Sequence, residues 1–401
     1  MISRRSFLGA GALGLGAAGL GFGAARLTPS ASSEPVPFRG QHQSGILTPA
    51  QQQMILVAFD MTATLREDLI DLLTKWTTAA ERMQAGELIN TPKARRDVPP
   101  DDTGEAMGYS AASLSITFGF GASLFEHSTK GDRYQLAHRM PEPLRGGIPR
   151  MSAEYLNQDA SHGDLIIQIC GEDPMVVLHA LHQFKRIAFG LASVRWVQLG
   201  YGRTSSTSED QETPRNLFGF KDGTSNIVAE EPDSELNKHL WISDGSWADG
   251  GSYLCLRKIK MMMEVWDELS LDTQENVFGR DKNEGAPLSG GEEFTPPEFQ
   301  HPAMDPKSHV TLMHPSNNGG ARMLRRGYNY TEGIDYLGRL NAGLVFIAYV
   351  ANPQTNFIPV LSRMTDDLLT EYIQHVATGL YLVPGGIKDG DNFVGQALFD
   401  A

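Results

Sequence analysis

The stretch QMILVAFDM, Gln53–Met61, is an apolar run with the length of a buried strand. It is followed closely by LREDLIDLLTKWTTAAERMQ, Leu65–Gln84, in which apolar residues recur at the three- and four-residue spacing of an amphipathic helix. This strand and this helix begin an order of elements that decides the fold of the first half of the chain.

Three more strand-like runs and a second helical pattern complete that half: the runs are Leu114–Phe125, Asp164–Glu172 and Val194–Arg203, and the helix begins at Pro174. The order strand–helix–strand–strand–helix–strand is that of a ferredoxin-like unit. The Gly-rich stretch GFGASLF, Gly119–Phe125, shows no helix start after it. It therefore indicates close packing of a strand and not a phosphate-binding loop.

The second half of the chain repeats this order of elements without repeating the residues. Strands are expected at 251–263, 322–330, 343–351 and 379–385, helices at 264–280 and 359–378, and a long loop at 281–307. We therefore predict an α+β fold of tandem ferredoxin-like units, with antiparallel sheets and peripheral helices. The two units are assigned to residues 51–230 and 231–401.

The composition is that of a soluble globular protein, with 41% hydrophobic and 20% charged residues among 401. The formal charge of −14 and the lack of a Lys/Arg run exclude a nucleic-acid-binding role. The two cysteines, Cys170 and Cys255, each lie in an apolar strand-like run. Buried free thiols are favoured over a disulfide.

The N-terminus carries a targeting pattern that precedes the fold. SRRSFL, Ser3–Leu8, is followed by a Gly/Ala-rich, weakly hydrophobic stretch that ends at Ala25. Twin arginines before such a stretch predict a twin-arginine export signal, so residues 1–50 are assigned to the signal and a linker. A membrane anchor is the weaker alternative because glycine dilutes the apolar run. The mature protein is expected to be periplasmic or otherwise exported, with no membrane span.

The stretch NLFGFKDGTSNI, Asn216–Ile227, places Asp222 between an apolar run and a turn. An Asp-Gly pair suits a turn for backbone reasons alone. However, the chain also contains an isolated His309 after a long polar loop, and an arginine-bearing strand, RMLRRGYNY, just downstream. An imidazole, a carboxylate and a cation are the groups of a haem site. The pair His179 and His182 is expected to be structural.

Five motifs in this order resemble the dye-decolourising peroxidase family, and most closely its exported deferrochelatase/peroxidase branch: GFKDGTSN, HGDLIIQICGED, FGFGASLF, MLRRGYNY and PGGIKDGDNFVGQAL. The resemblance covers nearly all of the chain from about Gln53 onward. It implies one haem b per chain in the second half, hydrogen peroxide as oxidant, and bulky aromatic or dye-like electron donors. Release of iron from haem and a cofactor-free binding module are the alternatives. The sequence does not decide between a monomer and a homo-oligomer.

The resemblance also assigns roles by position. Asp222 matches the distal aspartate, Arg325 the distal arginine, and His309 the axial ligand of the haem iron. The other predicted haem-contacting residues are Gly223, Thr224, Ser225, His314, Pro315 and Ser316.

Several positions depart from the pattern of the family. Thr311, His314 and Ser316 stand in a segment where relatives carry two further cations, and His314 is a rival axial ligand. Asn352 aligns with the acid that holds the proximal imidazole in relatives. A neutral partner there predicts an iron that is easier to reduce.

Overall fold

The computed structural model describes residues 34–90, 97–151 and 154–400. The predicted export signal lies outside the described residues. Within the described part of the chain, no helix combines the length and the apolar character that crossing a membrane requires.

The first half contains four strands and two long helices in the predicted order. These elements, together with two short helices, are β1 (Gln53–Met61), α1 (Arg66–Gln84), β2 (Ser115–Gly121), α2 (Ala122–Phe125), α3 (Glu142–Arg145), β3 (Leu165–Gly171), α4 (Pro174–Ile187) and β4 (Ala192–Arg203). Asp173 caps α4 by accepting hydrogen bonds from the backbone N–H groups of Met175 and Val176, and Pro174 occupies its first turn.

The second half contains five strands and shorter helices. They are α5 (Asp233–His239), β5 (Ser252–Met261), α6 (Met263–Asp267), α7 (Leu271–Phe278), α8 (His309–Met313), β6 (Leu324–Arg325), β7 (Tyr328–Ile334), β8 (Leu340–Val350), α9 (Pro353–Asn356), α10 (Ile358–Ser362) and β9 (Ile373–Val383). The predicted single helix at 264–280 is two helices, because Ser270 caps α7 by accepting a hydrogen bond from the N–H of Thr273.

Among the described residues, nine strands form one antiparallel sheet that closes on itself. The four strands of the first half lie in the order β2-β3-β1-β4, and those of the second half in the equivalent order β9-β5-β8-β7, with β6 beside β8. Pairing of β4 with β7 and of β2 with β9 joins the two halves at both edges. The predicted α+β class with antiparallel sheets is confirmed, and the sheets of the two halves join into one closed barrel. The domain boundary after residue 230 stays a prediction.

Alternate residues of the strands face two separate cores. Leu56, Ala58, Tyr328 and Tyr349 pack together inside the barrel. Their neighbours on the same strands face outward, where Phe59 of β1 packs with the helices of the first half. This alternation is the two-residue period of a strand that is buried on both faces.

The outer core of the first half is built on aromatic contacts. The Trp76 ring of α1 lies 6.0 Å from the Phe184 ring of α4 and 6.2 Å from the Phe118 ring of β2. Its indole N–H also donates a 3.0 Å hydrogen bond to the carbonyl of Phe184. The apolar face of α1 therefore packs against both the sheet and the neighbouring α4.

The predicted helix at 359–378 is wrong in its second half. The chain forms the short α10, then 3-10 turns at Arg363–Asp366 and Leu368–Tyr372, and enters β9 at Ile373. Pairing along the whole of β5 stabilises this strand, and a long-range ladder of this kind overrides local helical periodicity.

The stretch at Gly119–Phe125 combines a confirmed and a wrong prediction. Close packing is confirmed, because a Cβ at Gly121 would lie 2.0 Å from the carbonyl oxygen of Gly163. The predicted extent of the strand, Leu114–Phe125, is wrong, since β2 ends at Gly121 and α2 forms the last four residues of the stretch.

The remaining structural expectations concern cysteine and histidine. Cys170 and Cys255 are free and buried, as predicted. His179 and His182 lie on either side of Glu105, at 2.9 and 2.6 Å from its carboxylate oxygens. Among the residues that the structure describes, no group of three or more His, Cys, Asp or Glu side chains has the geometry to hold a metal ion.

Replacement of Phe184 by alanine tests the aromatic core. The side chain is fully buried, so Phe184→Ala should lower the free energy of unfolding by about 3–5 kcal/mol. Phe189, five residues later, is 91% exposed and provides the matched control: Phe189→Ala should change stability by less than about 0.5 kcal/mol. Denaturant unfolding of the two variants measures both values, and equal effects would contradict this account of the core.

Candidate active site

A cavity of about 240 Å³ lies on the outer face of the barrel in the second half. Side chains of β5 and β8 form one wall, and the 218–225 segment, α8 and α10 contribute the others. Eight of the predicted site residues line this cavity: Asp222, Gly223, Thr224, Ser225, His309, His314, Pro315 and Arg325. Ser316 does not line it. The Ser316 hydroxyl lies 2.8 Å from Nδ1 of His314.

Asp222 and Arg325 form an ion pair at the cavity. Nη1 of Arg325 donates a 2.8 Å hydrogen bond to Oδ1 of Asp222, and the amide of Asn216 donates a longer one, 3.3 Å, to Oδ2. The following Gly223 has φ +101°, and a Cβ there would lie 3.1 Å from the Cα of Ser205. A glycine is therefore required for the turn that presents Asp222.

Asn226, at the end of the same turn, fixes the backbone of Arg325. Its Oδ1 accepts a 2.6 Å hydrogen bond from the N–H of Arg325, and its Nδ2 donates a 2.8 Å bond to the Arg325 carbonyl. The same Nδ2 also donates to the carbonyl of Ser206. A side-chain amide thus acts as an additional strand residue beside β6. This role is not apparent from the sequence, where the local signal is the position of Asn226 four residues after Asp222.

His309 begins α8 and is held by a buried carboxylate. Its Nδ1 lies 2.6 Å from Oδ2 of Asp367, whose side chain is fully buried. The other oxygen of Asp367 accepts a hydrogen bond from the N–H of Leu369. Burial alone would lower the pKa of His309, but attraction to and hydrogen bonding with Asp367 outweigh it, so the pKa of His309 is raised. The same contact fixes the tautomer: when the ring is neutral, the carboxylate holds the remaining proton on Nδ1 and the lone pair is on Nε2.

The expectation that Asn352 holds the proximal imidazole is wrong. Asn352 caps α9, where its side chain accepts a 2.9 Å hydrogen bond from the N–H of Gln354. The acid Asp367 takes the position beside His309. This residue was missed because the predicted helix at 359–378 gave no reason for Asp367 to face the cavity.

His314 differs from His309 in its tautomer. Its Nδ1 accepts a 3.2 Å hydrogen bond from the N–H of Ser316, so in the neutral ring the proton is on Nε2. Burial, with a smaller contribution from Arg280, lowers the pKa of His314 and favours this neutral form. A protonated nitrogen has no lone pair for a metal, and His309 is therefore the better ligand of the two.

The long loop after residue 280 is bound to the turn that carries Asp222. Glu293 forms an ion pair with Lys221 and accepts a 3.2 Å hydrogen bond from the hydroxyl of Thr224. Burial tends to raise the pKa of Glu293, but the hydrogen bond from Lys221 and further donors lower it overall, so the carboxylate stays ionised. Residues on both sides of Asp222 are thus held by one carboxylate.

The cations that line the cavity differ in how they are paired. Arg322 forms a double hydrogen bond with Glu231, at 2.6 and 2.7 Å. Arg280, which is 7% exposed, donates to two backbone carbonyls, those of Gly285 and Glu293. Among the described residues, Arg280 has no carboxylate partner within ion-pair distance. Its charge is therefore available to an anionic group in the cavity.

Comparison with known families covers both halves of the chain. A model of the N-terminal region of Dyp-type peroxidases matches residues 43–202, and a model of their C-terminal region matches residues 213–388. The chain belongs to the Dyp-type peroxidase family. This membership confirms the family and the haem-dependent peroxidase activity that the sequence predicted.

Individual relatives of this Dyp-type peroxidase match over most of their length. A curated protein of Escherichia coli (strain UTI89) named deferrochelatase is 36% identical over 418 residues, which cover 98% of this chain and 96% of the relative. The solved structure of ferric DtpA from Streptomyces lividans is 37% identical, with a TM-score of 0.83 and coverage of 92% and 98%. A DyP-type peroxidase from Streptomyces coelicolor has the same identity and TM-score, with coverage of 93% and 100%.

Replacement of Asn226 tests its hold on Arg325. In Asn226→Ala the backbone N–H and carbonyl of Arg325 lose their partner, which should lower the free energy of unfolding by about 1–3 kcal/mol. Asn283 is exposed, so Asn283→Ala is the control and should have almost no effect. Denaturant unfolding gives both values; a difference below about 0.5 kcal/mol would show that Asn226 does not fix this backbone.

Proposed function

We propose that this Dyp-type peroxidase binds haem b in the cavity through Nε2 of His309, and that Asp222 and Arg325 act on hydrogen peroxide there. The observation that carries the proposal is that two residues with oppositely charged partners line one cavity: His309, held by Asp367, and Asp222, held by Arg325. The first pair supplies a metal ligand, and the second supplies a base with an adjacent fixed cation.

The remaining cavity lining fits the flat, apolar body and the carboxylate side chains of haem. The apolar contribution comes from Phe218, Phe220, Ile259, Met261, Phe278, Leu344, Phe346, Phe357, Leu361 and Met364. Arg280 is placed to meet a carboxylate, because its guanidinium is bound to carbonyls and not to an acid. This arginine offsets the loss of cations that the sequence showed at Thr311 and Ser316.

When bound, haem supplies the redox-active iron that peroxide oxidises and that an organic donor reduces. Asp222 accepts a proton from peroxide at Oδ2 and returns it to the departing oxygen, so that water can leave. Arg325 orients the carboxylate through Oδ1 and stabilises negative charge as it develops on that oxygen. Asp367 keeps the proton on Nδ1 of His309, so that Nε2 would be free to bind the iron of haem.

The electron donors are proposed to be bulky aromatic or dye-like compounds, in keeping with the family. A second candidate, removal of iron from haem, is favoured by the name deferrochelatase that curated relatives carry over nearly their full length. Product analysis after reaction with peroxide separates the two. Peroxidase action gives an oxidised donor with the haem intact, whereas iron release gives metal-free porphyrin.

Export through the twin-arginine route is part of the proposal. Its support is the SRRSFL pattern ahead of the Gly/Ala-rich stretch. Fractionation of cells that produce the full chain tests the assignment, which requires the mature protein outside the cytoplasm.

His309→Ala should lower haem affinity by more than about 100-fold, beyond the 10–100-fold effect typical of losing a residue that only orients a ligand. The matched control is His314→Ala, which should retain haem because His314 presents a protonated Nε2 to the cavity. Titration of both haem-free variants with haem, followed by absorbance, gives the affinities. Equal retention by the two variants would reverse the assignment of the ligand.

Asp222→Asn keeps the shape of the side chain and removes the base. It should slow the reaction with peroxide by about 10²–10⁴ while haem content stays unchanged. Stopped-flow mixing with hydrogen peroxide measures the rate. The control is Asp281→Asn, which changes another carboxylate of the cavity wall. If Asp222→Asn reacts as fast as the native protein, Asp222 is a turn residue and Arg325 acts alone.

A further inference from the structure

A second polar group lies on the cavity wall, apart from the residues that the proposed function uses. It consists of Glu154, Arg257, His375 and Thr378, and we call it the polar corner. Arg257 and His375 line the cavity, and all four residues are buried, with His375 5% exposed and Arg257 1% exposed. Glu154 lies behind them, with its Oε1 2.7 Å from Nη1 of Arg257.

A bulge in β9 brings these side chains to one face of the sheet. Thr378 pairs with Arg257 and His375 pairs with Ile259, so Val376 is an extra residue without a partner in β5. Residues three apart on a regular strand point to opposite faces. The bulge therefore turns His375 toward the same side as Thr378 and Arg257, as bulges beside functional sites commonly do.

Most polar atoms of the corner lack hydrogen bonds to other described residues. Across residues 34–90, 97–151 and 154–400, no hydrogen-bond partner is found for both ring nitrogens of His375, the hydroxyl of Thr378, Nε and Nη2 of Arg257 and Oε2 of Glu154. The remaining atoms, Nη1 of Arg257 and Oε1 of Glu154, are paired with each other at 2.7 Å. Each buried polar atom left without a partner costs about 1–3 kcal/mol, so a ligand that bonds to such atoms is favoured.

The charges of the corner define the class of ligand. The positive charge of Arg257 and the negative charge of Glu154 cancel, so their ion pair has no net charge. Burial, with a smaller contribution from Arg257, lowers the pKa of His375 to about 3, so its ring is neutral. An anion would face Glu154, and a cation would face Arg257. A small neutral molecule that both donates and accepts hydrogen bonds suits the corner better than either ion.

We propose that the polar corner is a binding site for a small hydroxylic molecule, water or hydrogen peroxide, that opens to the cavity at His375 and Arg257. The proposal rests on the proposed function only for the role of peroxide. An occupant there is held by donors and acceptors from β5, β9 and Glu154 and lies beside the space assigned to haem. Peroxide bound in this corner would be retained next to the reaction site before Asp222 acts on it.

The first experiment is a pair of crystal structures, with and without haem, at about 1.5 Å resolution. Both should show an ordered molecule within hydrogen-bond distance of a His375 nitrogen. A corner without such density would overturn the proposal, and so would a haem carboxylate in that place. Because the haem-free crystal is included, failure of the protein to bind haem would refute the proposed function without affecting this test.

The second experiment distinguishes the two occupants. His375→Phe and Thr378→Val remove the polar atoms while keeping similar shapes, and Thr378→Val is the milder change if the first variant folds poorly. If peroxide occupies the corner, the native rate saturates with peroxide concentration, and each variant raises the half-saturating concentration by about tenfold, which corresponds to one or two hydrogen bonds. If the variants have the same half-saturating peroxide concentration as the native protein and the crystals show ordered density, the occupant is water. If that concentration is unchanged and the crystals show no density, the site is refuted for both occupants.

Discussion

The antiparallel pairing of β8 with strands on both of its sides is the constraint on which the site depends. On one side β8 pairs with β5, whose outward side chains Arg257, Ile259 and Met261 form a wall of the cavity. On the other side it pairs with β6, where Arg325 lies opposite Ala348. Arg325 therefore owes its position to the sheet and to Asn226, and it reaches Asp222 from a rigid element.

The two carboxylates of the site, Asp367 and Asp222, have different surroundings, and the difference suits their proposed roles. Asp367 is fully buried and fixed by the N–H of Leu369, so its carboxylate is held in one orientation beside His309. Asp222 keeps part of its carboxylate exposed to the cavity, where a proton can be exchanged with a substrate. A buried carboxylate orients a ligand, and an accessible one transfers protons.

Much of the site could be predicted from short motifs, because Asp222, Gly223 and Arg325 lie in local patterns whose geometry is set within a few residues. Asp367 could not be predicted in the same way. The apolar spacing from 359 to 378 fits a helix, and only the ladder between β5 and β9 makes the second part a strand. Glu293 and the polar corner were missed for a related reason: they depend on contacts between distant segments, which leave no periodic signal. The order of elements, in contrast, was readable, since each strand and helix carries its own apolar pattern.

The closed ring of strands also has a consequence for how the chain folds. Phe120 of β2 pairs with Leu382 of β9, which is more than half of the chain away. Closing so long a segment carries a large entropic cost before the contact is formed, and folds dominated by such pairings are slow. Since β9 follows all the other strands of the described chain, the ring can close only after β9 has left the ribosome. A folding intermediate with β2 and β5 unpaired on one side would expose two strand edges, so the period before closure is the time at which this protein is most prone to aggregate.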